Sequence, residues 1–170
     1  MKCFHSRDTA TLLRAFKTYV RPILEFNSPV WSPRFIKDIN LIENVQRRFT
    51  KYLPGMFHKS YDERLTILNL DKLEARRIKT DLITTYKILF GHITIDSGKF
   101  FRINNYNITR GHKYKLISSN AHCDTFRHYF SQRIVSLWNS LPTYIDFSTI
   151  RNFINSLSHF NIASICIGRQ

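Results

Sequence analysis

The chain has 170 residues, with 26 Lys and Arg against 12 Asp and Glu, a net charge of +14, and 14% aromatic residues. A chain this long can bury roughly 70% of its unfolded surface. With 43% hydrophobic residues, five Gly and five Pro, its composition is that of one packed domain or two small ones, which excludes a disordered or fibrous chain. So large a positive charge repels itself in a compact state and favours a polyanionic partner, nucleic acid or an anionic membrane surface; it excludes an acidic or neutral solubility module.

The cations are distributed. Residues 1–90 carry 17 basic and 9 acidic side chains and residues 91–170 carry 9 and 3, so both parts are basic and no basic arm stands apart. Cys3, Cys123 and Cys166 are an odd set without a CxxC pair, which fits a reducing compartment. The opening MKCFHSRDTA lacks the apolar stretch of a secretory signal, and the longest apolar run, Ile162 to Ile167, falls far short of the ~20 residues of a membrane span. The expectation is a soluble intracellular protein with no membrane partner.

In chain order, Ala10, Leu13, Phe16, Tyr19, Val20, Ile23 and Leu24 recur at helical spacing, with Pro22 expected to kink or end that helix. Asn27 to Pro33 reads as a Pro-punctuated turn anchored by Trp31. A second helix places Ile39, Ile42, Val45, Phe49, Tyr52 and Leu53 on one face and Arg47, Arg48 and Lys51 off it, and Pro54-Gly55 stops it. Ser60 to Glu63 (SYDE) has the form of a capping box opening a helix over about 61–69, and Asp71 to Glu74 (DKLE) repeats the device. The next helix carries Ala75, Ile78, Leu82, Tyr86 and Leu89 inward and ends at Gly91. Residues 92–123 lose the helical period, and Arg110 to Ile117 alternates as a short strand or hairpin does. From Asp124 a helix returns through Phe126, Phe130, Ile134, Leu137, Trp138 and Leu141 to Pro142, and a last one starts at Ser148 with Ile150, Phe153, Ile154 and Leu157 inward. The fold class is mainly α: a helical bundle of about five to six helices with a small β-hairpin or strand near residues 109–118. A domain boundary is expected at 54–60.

Catalytic chemistry finds little purchase. Two-metal phosphoryl transfer needs gathered carboxylates, and the one adjacent acidic pair, Asp62-Glu63, sits in a helix's first turn, where it offsets the dipole. The glycines at 55, 91, 98, 111 and 168 stand alone, so there is no phosphate loop, and neither G-x-S-x-G nor H-E-x-x-H occurs. His122, Cys123 and His128 lack a second cluster at zinc spacing, and a solvated or capping histidine is the commoner state. No metal, cofactor or catalytic residue is expected. What remains is cations interleaved with aromatics: Arg110, Lys113, Tyr114 and Lys115, then Arg127, Tyr129 and Arg133, in which cations meet phosphates and exposed rings stack on unpaired bases. Core packing of Tyr114 and Tyr129 is the competing explanation.

Five runs in order carry a resemblance: Tyr19 to Pro33 (YVRPILEFNSPVWSP), Asn44 to Gly55 (NVQRRFTKYLPG), Ser60 to Leu89 (SYDERLTILNLDKLEARRIKTDLITTYKIL), Thr109 to Leu116 (TRGHKYKL) and Phe130 to Pro142 (FSQRIVSLWNSLP). Together they resemble the region downstream of the palm in reverse transcriptases, the RNA-directed DNA polymerases, of jockey-like non-LTR retrotransposons (long interspersed elements), over about residues 5–160. The resemblance implies that residues 1–55 are part of a thumb that grips the primer–template duplex and residues 56–170 a C-terminal helical extension. It implies that Arg47, Arg48 and Lys51 face the duplex backbone. Arg76, Arg77, Arg110, Lys113, Lys115, Arg127 and Arg133 would form the extension's surface for RNA, DNA or an RNA–DNA hybrid. The family's palm carries a Tyr-x-Asp-Asp strand; no Asp-Asp pair occurs in this sequence. The expected function is therefore a non-catalytic, nucleic-acid-binding portion without palm, fingers or endonuclease, and residues 161–170 do not continue the pattern. A chain starting inside a thumb would expose Phe4, Leu12 and Phe16 and self-associate. The alternative is a protein-interaction module, or an inert element remnant, whose exposed apolar faces bind a protein partner.

Overall fold

A computed structural model describes residues 8–104, 111–119, 123–160 and 162. They are mainly α-helical: α1 (Thr9–Ala15), a π-helical turn (Phe16–Val20), α2 (Arg21–Glu25), α3 (Ser28–Trp31), α4 (Ile36–Lys51), α5 (Tyr61–Leu68), α6 (Leu73–Leu89), a 3-10 turn (Ser97–Lys99), α7 (Asp124–Arg127), α8 (Phe130–Asn139) and α9 (Ile150–Ser158). There are more segments than the five or six expected: the first helix is interrupted before Pro22, where a kink or end was expected, a short helix α3 forms within the expected turn at 27–33, and the helix expected from Asp124 to Leu141 is broken in two. Pro22 has no N–H to continue the ladder, and the turn before it widens so that the Arg21 N–H reaches the Phe16 carbonyl. The second interruption falls at His128–Tyr129, between α7 and α8, and leaves Phe126 and Tyr129 on the surface.

Two compact units divide at Arg77 and Ile78, within α6. The division expected at 54–60 lies inside the first unit, since Leu53 and Met56 share one apolar cluster with Leu12, Leu65, Leu68 and Leu70. Phe16 stacks on Phe49 with ring centroids 4.2 Å apart. Leu12 and Phe16, expected to be exposed, are therefore core residues; Phe4 lies outside the described residues. The capping box forms as predicted: Ser60 Oγ accepts from the Glu63 N–H, and Glu63 accepts from the Ser60 N–H at 2.7 Å.

Helix α4 departs from expectation. Its buried face carries Glu43, Gln46 and Thr50, while Ile36, Leu41, Val45 and, at its C-terminal cap, Tyr52 are exposed. Polar side chains are tolerated inside where they are hydrogen-bonded, and here they organise three elements. The Tyr61 phenol donates to Glu43 Oε1. Gln46 Nε2 donates to Tyr61 Oη at 3.1 Å and to the Asp71 carbonyl at 3.0 Å. Glu43 Oε2 takes the Leu73 N–H at 2.9 Å, so a carboxylate from α4 satisfies the first residue of α6, where the sequence suggested Asp71 as the cap.

The second unit is built on aromatic rings. Tyr86 stacks on Phe90 at 4.4 Å and on Phe153 at 4.6 Å, and its hydroxyl donates to the Phe147 carbonyl at 3.0 Å. Trp138, fully buried, meets Phe147 and Phe153 and donates its indole N–H to the Tyr114 carbonyl at 2.7 Å. Helix α6 ends as the sequence predicts: Gly91 has φ +72, and the His92 N–H reaches the Lys87 carbonyl at 2.8 Å. The expected hairpin is reduced, among the described residues, to one antiparallel bridge between Ile103 and Leu116. Asn139 holds it from α8, accepting the Leu116 N–H and donating to the Leu116 carbonyl, both at 2.8 Å.

Candidate nucleic-acid interface

The ten cations singled out by the sequence do not share one environment. Arg48 and Lys51 are exposed on α4, Lys113 is exposed beside Tyr114 with its Nζ 5.1 Å from that ring's centre, and Arg127 is exposed in the last turn of α7. Arg47 is half-buried: it donates to Asn44 Oδ1 at 3.0 Å, and its guanidinium carbon lies 4.9 Å from the Tyr61 ring centre. Lys115 is half-buried. Arg110 lies outside the described residues.

Of three further arginines expected on the surface, Arg77 is buried, and Arg76 and Arg133 are half-buried in ion pairs. Arg77 is 2% exposed, because it falls on the i, i+4 stripe of α6 that also buries Leu73, Asp81 and Thr85. Arg133 grips Asp81 with Nε 3.1 Å and Nη2 3.0 Å from Oδ2, and Nη2 3.2 Å from Oδ1. Arg76 forms a fork on Glu25, Nη2 to Oε2 at 3.0 Å with Nε on Oε1, and this hydrogen bonding raises its pKa above the ordinary arginine value.

Several carboxylates cap helices or turns at the surface. Asp8 caps α1 through the Thr11 N–H and hydroxyl, both at 2.8 Å; Asp96 accepts from the Gly98 N–H at 3.0 Å; Asp146 accepts from the Ser148 N–H at 2.8 Å and the Asn152 amide at 3.0 Å. Those hydrogen bonds hold Asp8, Glu63 and Asp146 below the usual carboxylate pKa range, each led by its backbone N–H. With Glu25, Glu43 and Asp81 turned inward, much of the negative charge is committed to caps and pairs. The same pairs and burial withdraw cations too, Arg76 and Arg133 into the pairs and Arg64 and Arg77 into the interior, while Asp8, Glu63, Asp96 and Asp146 keep their charge at the surface. Between Glu43 and Asp62 no acidic residue occurs, while Arg47, Arg48, Lys51, His58 and Lys59 do.

Of the trio considered for metal, Cys123 accepts the Phe126 N–H on its sulfur at 3.4 Å as the cap of α7, and His122 lies outside the described residues. Among the described residues no three His, Cys, Asp or Glu side chains gather into a metal-holding group, and no helix is long and apolar enough to cross a membrane.

Three positions escaped sequence reasoning. Glu43 and Tyr61 form the hub of the first unit. His112 is buried against Trp138 and Phe147, with Nε2 2.8 Å from the Trp138 carbonyl and Nδ1 without a partner; burial lowers its pKa. None has a periodic or motif signal, because each is defined by partners distant in sequence.

No protein-family model matches the chain, and no solved structure matches it. The chain is similar to an uncharacterized protein of Caenorhabditis elegans, 26% identical over 94 residues, which cover 54% of this chain and 48% of the relative. The match thus spans about half the length of that relative.

Proposed function

We propose that this chain binds nucleic acid through the phosphate backbone, in the manner of the thumb and C-terminal extension of a jockey-like non-LTR reverse transcriptase, and contributes binding rather than polymerase chemistry. The supporting observation is the charge: a net +14, with Arg48, Lys51, Lys113 and Arg127 exposed and no acidic residue between Glu43 and Asp62. Phosphate contacts of this kind tolerate sequence and release counterions. The Asp pair of the family's palm has no counterpart in the sequence.

Titrating salt against an RNA–DNA hybrid, a duplex and a single strand tests the reading. With roughly six phosphates neutralised, affinity falls on the order of a thousandfold between about 50 and 200 mM salt. Arg48→Gln lowers the log–log slope by about 1. A flat salt response refutes the reading. The second reading, protein docking, draws on the exposed Tyr19, Ile23, Phe26 and Val30 of the first unit, and predicts binding that survives high salt.

A further inference from the structure

Helix α4 presents an outward stripe that phosphate binding alone does not use. At 3.6 residues per turn, Lys37, Leu41, Arg48 and Tyr52 fall within about 60° of one another, opposite the buried Gln46 and Thr50. At each end of the stripe a lysine lies over an exposed phenyl ring. Lys37 Nζ is 5.6 Å from the centre of Phe35, which also has the Arg34 guanidinium carbon at 4.3 Å. Lys51 Nζ is 4.8 Å from the centre of Phe57, beside His58. The rings are left to solvent: Phe35 is 50% exposed, Phe57 61% and Tyr52 73%. Large aromatic rings at this exposure leave apolar surface in water that an occupant would cover.

We propose that α4 and the turns flanking it form a stacking track for one unpaired nucleic-acid strand, with bases on Phe57, Tyr52 and Phe35 and phosphates on Lys37, Arg48 and Lys51. This rests on the phosphate-binding reading above and narrows it to single-stranded segments. Charge complementarity selects the occupant: of the two acids between Phe35 and Phe57, Glu43 is buried and Asp38 is half-buried, and the exposed face alternates cations with apolar side chains. A base stacks on a phenyl ring or a guanidinium plane whatever its identity, and an adjacent cation takes the phosphate that follows it. Lys37 and Lys51 lie about 21 Å apart along the axis and about 40° around it, on the same side of the helix. That span matches about six nucleotides at a stacked spacing of roughly 3.4 Å.

The test uses the full chain with a 12-nucleotide oligo(dT) and a 12-base-pair duplex at about 50 mM salt. Tyr52→Ala with Phe57→Ala is expected to weaken single-strand binding roughly tenfold or more and to change duplex binding less than twofold. Phe35→Ala acts in the same direction, and Phe57→Trp, which keeps a stacking ring at that position, binds the single strand as the parent does. Thermal unfolding midpoints matching the parent chain show that the variants are folded, as the exposure of these rings implies. If the parent binds both probes with a salt slope and the aromatic variants bind oligo(dT) as well as it does, the stacking track is overturned while phosphate binding stands. If the parent binds neither probe, both fall together. If the variants lose an acidic amphipathic peptide and retain oligo(dT), the surface is a protein dock and the proposal is overturned.

Discussion

Replacing Arg133 with methionine removes the cationic half of a pair whose side chains are 13% and 5% exposed, and leaves Asp81 in the interior without that partner. Three contacts of 3.0–3.2 Å, each charge-assisted, are lost at once. An exposed ion pair is worth about 0–1 kcal/mol, whereas truncating one member of a buried pair costs about 3–5 kcal/mol, most of it from the charge left behind. With a urea slope of about 1–2 kcal/mol/M for a unit of this size, 4 kcal/mol moves the midpoint by roughly 2 M or more. Trp138, on the same helix as Arg133, reports the transition once Trp31, the other tryptophan, is replaced by Phe. Adding Asp81→Leu to Arg133→Met removes the stranded charge and restores most of the loss, so the double-mutant cycle returns a coupling on the order of 3 kcal/mol. A single-variant loss below about 1 kcal/mol, or a double variant no more stable than Arg133→Met alone, would refute the assignment of Arg133 to the interior.

Three further outcomes follow from particular side chains. Burial lowers the His112 pKa in the folded state below its ordinary 6.5, so the unfolded chain binds the extra proton; stability is fully present above about pH 6.5 and is lost as pH falls below it, and His112→Phe flattens that part of a stability–pH profile. The capped carboxylates Asp8, Glu63 and Asp146 act in a lower window, below the ordinary carboxylate range, which separates the two effects. Tyr61→Phe leaves Glu43 Oε1 without its phenol donor, and chemical denaturation is expected to show a loss of about 1–3 kcal/mol. Gly91→Ala meets no atom within 4 Å but must hold φ +72, so it costs about 1 kcal/mol through backbone strain alone, read as a lower melting temperature.

Local chemistry was legible in the sequence. The capping box at Ser60, the glycine stop at Gly91 and the inward row Ile78, Leu82, Tyr86 of α6 depend on residues within a few positions of one another, and each forms as read. Long-range choices were not legible. The second helix was read with Val45 and Tyr52 inward because apolar periodicity assumes an apolar interior, yet Glu43 and Gln46 occupy that side through partners at Tyr61, Asp71 and Leu73. The same limit applies to the cations. Arg48 and Arg133 look alike in a basic, aromatic sequence, and only the position of Asp81, 52 residues away, sends one inward. Charge counting thus identifies a kind of partner more readily than the residues that meet it.

The reach of Glu43 to Leu73 bears on how the first unit folds. Helix α6 begins on an N–H satisfied from thirty residues upstream, so its first turn is held by a distant side chain as well as by the local Arg76 N–H to Lys72 carbonyl bond at 3.1 Å. Closing a loop of that length costs entropy before any contact rewards it. Docking of α4, and of the α5 segment whose Tyr61 shares the same carboxylate, thus bears directly on how the start of α6 is secured. A single side chain couples the timing of three helices, and slowed refolding in Glu43→Ala, rather than fast unfolding, is the kinetic mark it would leave.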